Sequence, residues 1–139
     1  AEKESLYREL YQPYIKPIEG LVFFLYTLKE NAIKVGLATA ADRPNIDFTL
    51  GGLHIGDFFS AITGGEEVSY GKPDPEVYTT TARKLGVEPK NCLVVEDSVP
   101  GIKSGLAAAM QVMAITTTHP PDELAEYPLY KIISDYTVL

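Results

Sequence analysis

The sequence predicts an α/β protein, in which three α/β/α layers form around a parallel, Rossmann-like sheet. Short apolar runs typical of buried strands alternate along the chain with amphipathic stretches typical of helices. This alternation favours right-handed crossovers, and therefore parallel strands covered by helices on both faces. Polar and charged residues also follow three of the predicted strands, at the sheet edge where such proteins bind ligands.

The individual elements follow from the same patterns. Amphipathic spacing, prolines and glycines predict helices over residues 2–11, 18–30, 44–50, 75–85, 99–109 and 121–126. Apolar runs predict strands over residues 33–39, 60–63, 92–96, 112–116 and 131–134. Asp42 and Asp74 are suitable N-cap residues, and Gly86 is expected to end the helix over 75–85.

The composition excludes several classes of protein. Apolar residues make up 45% and charged residues 22% of the 139 residues, which is typical of a globular protein and not of a disordered or coiled-coil chain. A net charge of −7 argues against a nucleic-acid partner. The longest apolar run, 21–26, is too short to span a membrane, and the first residues lack the apolar core of a secretory signal. We therefore expect a cytoplasmic protein with no nucleic-acid or membrane partner.

Two of the strand ends carry groups suited to an anion. Thr39 and Ala40 follow the first strand, where a hydroxyl and exposed backbone amides can hold anionic oxygens. Lys72 lies between Gly71 and Pro73 after the second strand. Because Pro73 keeps Lys72 out of the helical region, the lysine is expected to be a cation held in place.

The third strand ends on two adjacent carboxylates, Glu96 and Asp97. Like charges this close repel each other, and a Mg²⁺ ion bound through their oxygens would relieve the repulsion. The alternative is that Asp97 caps the next helix while Glu96 is solvated. A hydroxyl with backbone donors, a fixed lysine and a carboxylate pair on one sheet edge together predict phosphoryl transfer.

Three segments resemble motifs of the haloacid dehalogenase superfamily, in its branch of beta-phosphoglucomutase and phosphoglycolate phosphatase-like enzymes. They are residues 35–40, 70–78 and 94–98, the last followed by Gly101, and they resemble the family's second, third and fourth motifs. The resemblance implies that Thr39 and the Ala40 amide bind the phosphoryl group of a small phosphorylated metabolite and that Lys72 neutralises it, so Thr39 and Lys72 are the predicted catalytic residues.

The same resemblance implies further roles. Asp97 would bind Mg²⁺ directly, with Glu96 binding it directly or through water. Arg43 matches a position that can face the substrate. Ala109 stands where the family commonly has a glycine at the end of a helix, which would be costly if the residue is left-handed.

The family's first motif, Asp-x-Asp, has no counterpart in this sequence. Its first aspartate is the nucleophile that becomes an aspartyl phosphate, and its second is the general acid and base. The resemblance thus implies that residues 1–14 are the last helix of a helical cap. Residues 15–139 would then be the C-terminal part of a core that lacks its central first strand.

The resulting hypothesis is a Mg²⁺-dependent phosphatase or phosphomutase whose nucleophile lies in a missing N-terminal part of the same enzyme, so that this chain alone is inactive. One alternative is a non-catalytic phosphoacceptor module. Response-regulator receivers also combine acidic residues with a Lys-Pro pair, but in them the acidic pair comes first. The other alternative is an inactive fragment.

Overall fold

The computed structural model describes residues 18–139, so the predicted helix over 2–11 and the predicted cap segment lie outside the described residues. The described chain contains helices α1 (Leu21–Glu30), α2 (Arg43–Leu53), α3 (Glu76–Leu85), α4 (Val99–Ala107) and α5 (Pro121–Leu124). Its strands are β1 (Gly36–Ala38), β2 (Ala61–Thr63), β3 (Leu93–Glu96), β4 (Gln111–Ile115) and β5 (Lys131–Ile133). The predicted alternation of strands and helices is confirmed. None of these helices is long and apolar enough to cross a membrane.

The strands form two separate parallel sheets, one ordered β1-β2 and the other β3-β4-β5. In the first sheet Leu37 is level with Ile62, and in the second Val94 is level with Val112. The parallel α/β class is therefore confirmed, and β1 and β3 do not pair with each other. The interruption falls where the resemblance places the absent central strand.

Helix α3 connects the two sheets because it packs against β1, β2 and α4. Its buried Thr81 hydroxyl lies 2.8 Å from the hydroxyl of Thr63, at the end of β2. Gly36 allows the close approach of helix to strand, since a Cβ there would lie 2.6 Å from Cγ2 of Thr81. Three apolar clusters form the core of the described residues. One, around Leu25, Ile46 and Leu50, packs against the first sheet, and two belong to the second sheet, around Val94, Ile102 and Val112 and around Met113, Ile115 and Ile133.

Several helix ends differ slightly from their predicted positions. Asp42 caps α2 as predicted, by accepting a hydrogen bond from the Asn45 amide at 3.1 Å. Asp74 accepts from the Glu76 amide at 2.9 Å, but α3 begins only at Glu76 and its N-cap position is Pro75. At the start of α4 the cap is Ser98, whose hydroxyl accepts from the Gly101 amide. The capping role considered for Asp97 is therefore wrong.

Candidate active site

The ends of β1 and β2 enclose a cavity of about 170 Å³. Two polar side chains, those of Thr39 and Lys72, line it together with Ala40. The Thr39 hydroxyl accepts a hydrogen bond from the Ala41 amide at 3.1 Å, and the Thr39 amide donates to the carbonyl of Thr63 at 3.0 Å. The structure thus brings together the three residues that were predicted to bind phosphate.

The cavity is also lined by residues to which the sequence assigned no binding role, namely Gly65, Val68, Gly71 and Val77. Gly65 is necessary for the shape of the cavity, because a Cβ there would lie 2.2 Å from the carbonyl oxygen of Ala40. In the sequence, Gly64 and Gly65 directly follow the strand predicted over residues 60–63. The presence of two adjacent glycines was the available signal of a close backbone approach. The partner, Ala40, could not be read from the sequence, because the contact depends on how two loops meet.

Lys72 is held between the two sheets. Its ammonium donates to Oε2 of Glu96 at 2.8 Å and to the carbonyl of Ala38 at 3.3 Å. The side chain is only 18% exposed. An ammonium group has three N–H bonds, and these two acceptors occupy two of them. The prediction that Lys72 is a fixed cation is confirmed by this geometry.

Glu96 is buried, which rules out the alternative in which it is solvated. Its Oε2 accepts from Lys72 and from the Tyr78 hydroxyl at 2.6 Å, and its Oε1 accepts from the Asp97 amide at 3.1 Å and the Ser98 hydroxyl at 3.3 Å. Burial and the negative charge of Glu96 raise the pKa of Tyr78, so its hydroxyl stays protonated and acts as a donor.

Asp97 faces the loop that follows β4. Its Oδ2 accepts from the hydroxyls of Thr118 at 2.6 Å and Thr117 at 3.3 Å. Burial alone would raise the pKa of Asp97, but hydrogen bonds from Thr118 and other donors outweigh burial and lower it. The carboxylate is therefore ionised at neutral pH.

An ionised carboxylate at a strand end is the type of ligand that Mg²⁺ prefers, so Asp97 fits such an ion. Glu96 supplies the same chemistry, although both of its oxygens already accept protein hydrogen bonds. Residues 18–139 contain no cluster of three or more histidine, cysteine or acidic side chains that could hold a metal. In this part of the chain, Glu96 and Asp97 are thus a pair of acidic groups and do not belong to a larger cluster.

Arg43 begins α2 and does not line the cavity. Its charge acts on Glu67, whose pKa is lowered first by a hydrogen bond from Lys84, then by the Gly64 amide, and to a smaller extent by Arg43. The expectation that Arg43 faces a substrate stays a prediction.

This chain is similar to known proteins in both sequence and fold. The family model for haloacid dehalogenase-like hydrolases matches residues 3–115. A bifunctional riboflavin kinase/FMN phosphatase of Arabidopsis thaliana is 40% identical over 103 residues, which cover 73% of this chain and 27% of that protein.

Two solved structures share the fold over 99% of this chain. A HAD hydrolase of family IA, variant 3, from Entamoeba histolytica has a TM-score of 0.90 and 29% identity, with 64% of that chain covered. A beta-phosphoglucomutase from Clostridium difficile has a TM-score of 0.85 and 28% identity, with 60% covered. This chain spans less than two thirds of each of the three proteins. With the family model matching most of its length, the chain belongs to the haloacid dehalogenase-like hydrolases.

Proposed function

We propose that this chain provides the phosphate- and magnesium-binding part of a phosphatase or phosphomutase that acts on a small phosphorylated metabolite. The observation that carries the proposal is the cavity in which Lys72 and Thr39 lie together at the end of β1. A cavity of this size suits a phosphoryl group, and its cation is fixed by Glu96 and Ala38.

The residues of the cavity match the needs of phosphoryl transfer. The transferred group carries negative charge on its equatorial oxygens, and catalysis consists mainly of positioning the group and stabilising that charge. Lys72 would neutralise the charge, while the Thr39 hydroxyl and the Ala40 amide would donate hydrogen bonds. When bound, Mg²⁺ would be held by Asp97 and Glu96 and would supply further neutralisation of the phosphoryl oxygens.

The nucleophile is proposed to come from outside this chain. The sequence contains no Asp-x-Asp motif, and among residues 18–139 β1 and β3 are edge strands of separate sheets, each with one edge that pairs with no described strand. Lys72 contacts the last residue of each of these strands, Ala38 and Glu96, so a strand inserted between them would end beside its ammonium. We propose that the N-terminal part of the same enzyme supplies this strand and the nucleophilic aspartate.

Hydrolysis of p-nitrophenyl phosphate with Mg²⁺ tests this proposal in the longer protein. Lys72→Ala is expected to lower kcat/KM by about 100-fold or more, since it removes a charge that stabilises the transition state. Lys84→Ala is the matched control, because Lys84 also pairs with a glutamate, at 2.7 Å from Glu67, but does not line the cavity. An unchanged rate in Lys72→Ala would contradict the assigned role.

The 139-residue chain alone is expected to show no turnover in the same assay. Turnover by the chain that is lost in Lys72→Ala would mean that a nucleophile lies within these residues. If the longer protein binds phosphate but does not hydrolyse the ester, the inactive or regulatory alternative would be favoured instead.

A further inference from the structure

The geometry points to Tyr78 as a positioning residue that directs the Lys72 ammonium into the cavity by holding Glu96. This inference rests on the proposed function, because it concerns the same phosphate site. It adds a role for a side chain to which neither the sequence patterns nor the family resemblance assigned one.

Lys72 and Tyr78 share one oxygen of Glu96. Oε2 of Glu96 accepts from Lys72 at 2.8 Å and from the Tyr78 hydroxyl at 2.6 Å. The glutamate side chain is 9% exposed, so little water is available to replace a lost donor. Hydrogen bonds to a charged group in such surroundings are short and strong, and their loss leaves a poorly solvated charge.

The Glu96 side chain is also fixed on the side facing α4. A Cβ at Gly101 would lie 1.9 Å from the carboxyl carbon of Glu96, so the carboxylate packs directly against the first turn of α4. The Ser98 hydroxyl and the Asp97 amide hold Oε1. Tyr78 therefore closes the remaining side of a site that fixes one orientation of Glu96.

The direction of the Lys72 ammonium depends on Glu96. Glu96 and the Ala38 carbonyl accept two of the three N–H bonds of Lys72, so the position of Glu96 decides where the third one points. The Tyr78 ring also lies 5.1 Å from Nζ, within the range of a cation–π contact. Tyr78→Phe keeps the ring and removes only the hydroxyl, which separates the two contributions.

The test uses the longer protein and compares Tyr78→Phe with Tyr130→Phe, a control in which the tyrosine is 64% exposed. With p-nitrophenyl phosphate, Tyr78→Phe is expected to lower kcat by about tenfold, the effect of one lost charge-assisted hydrogen bond, with a smaller change in KM. Thermal unfolding identifies any variant that is simply unfolded.

A double variant distinguishes positioning from a general structural effect. If Tyr78 acts through Glu96, then Tyr78→Phe has little further effect on kcat in a Glu96→Gln background. Gly101→Ala, which displaces the same carboxylate, is expected to reduce kcat in the same direction. Multiplicative effects of Tyr78→Phe and Glu96→Gln, or an unchanged kcat in Tyr78→Phe, would overturn this inference and leave the proposed function intact.

Calorimetric titration with inorganic phosphate covers the case in which the longer protein has no turnover. Phosphate binding that is weakened severalfold in Tyr78→Phe but unchanged in Tyr130→Phe would support the positioning role even though the proposed catalytic function fails. A protein that neither hydrolyses the ester nor binds phosphate would overturn both.

Discussion

Ala109 adopts a conformation that favours glycine, so Ala109→Gly is expected to stabilise the protein. Its φ angle is +62°, in the left-handed region. The Ala109 amide donates to the carbonyl of Leu106 at 3.0 Å, and the Met110 amide donates to the carbonyl of Gly105 at 3.2 Å. These two bonds form the Schellman motif that ends α4, in which the left-handed position is usually glycine.

The expected change in stability is the difference between two opposing contributions to the free energy of unfolding. A left-handed residue with a Cβ costs about 1–2 kcal/mol, while the greater freedom of glycine in the unfolded chain costs about 0.4–1 kcal/mol. Because Ala109 is exposed, its methyl group contributes little packing. The expected net stabilisation is about 0.5–1 kcal/mol, or a rise in Tm of about 2–4 °C.

Urea and thermal unfolding of the wild-type protein and of Ala109→Gly would measure this difference in stability. Ala107→Gly is the matched control, since Ala107 is also exposed but is the last residue of the helix, where glycine is expected to destabilise by up to about 1 kcal/mol. If Ala109→Gly destabilised the protein as much as Ala107→Gly, the assigned left-handed helix end would be refuted.

Two further predictions concern the pH dependence of stability and the shape of the cavity. Because the pKa of Asp97 is lowered by folding, its contribution to stability is present above about pH 4 and is lost as the pH falls through the native pKa. Thr118→Val should therefore lower the free energy of unfolding by about 0.5–1 kcal/mol near pH 7, and this difference from the wild type should shrink in acid. Urea unfolding at several pH values measures it, and a difference that does not change with pH would be inconsistent with this cause. Gly65→Ala should weaken binding of inorganic phosphate at least about tenfold in calorimetry, because its methyl would meet the Ala40 carbonyl and force the loop to move. Gly51→Ala, with no atom within 4 Å of the added Cβ and at a position that does not line the cavity, should bind phosphate nearly as well as the wild type, and equal losses in both variants would contradict the geometry.

The elements of the fold were predictable from local patterns. Apolar runs and capping residues predicted each strand and each α-helix within residues 18–139, with errors mainly at the ends, but not the short 3₁₀ helices such as Tyr136–Val138. The helix predicted to reach Ala109 ends at Ala107, because Ala109 turns left-handed to complete the helix end. Which conformation an alanine adopts there depends on the fold around it, although the family resemblance had indicated a glycine position.

The candidate site was predictable where its residues lie in the loop after a strand. Thr39, Ala40 and Lys72 lie together because parallel strands bring their carboxyl ends to one edge of the sheet. The role of Tyr78 was not predictable, because its hydroxyl meets Glu96 from a different element, 18 positions away in the sequence. Helical spacing predicts which side of Tyr78 is buried, but not which polar group its hydroxyl reaches.

The most direct test of the phosphate site is the change in backbone amide signals when inorganic phosphate is added to the protein, measured by ¹H–¹⁵N NMR. We predict that the largest shifts occur at Thr39, Ala40 and Gly65, that Lys72→Ala abolishes them, and that Lys84→Ala retains them. The account would be contradicted if those three amides did not respond, or if the shifts centred on another surface.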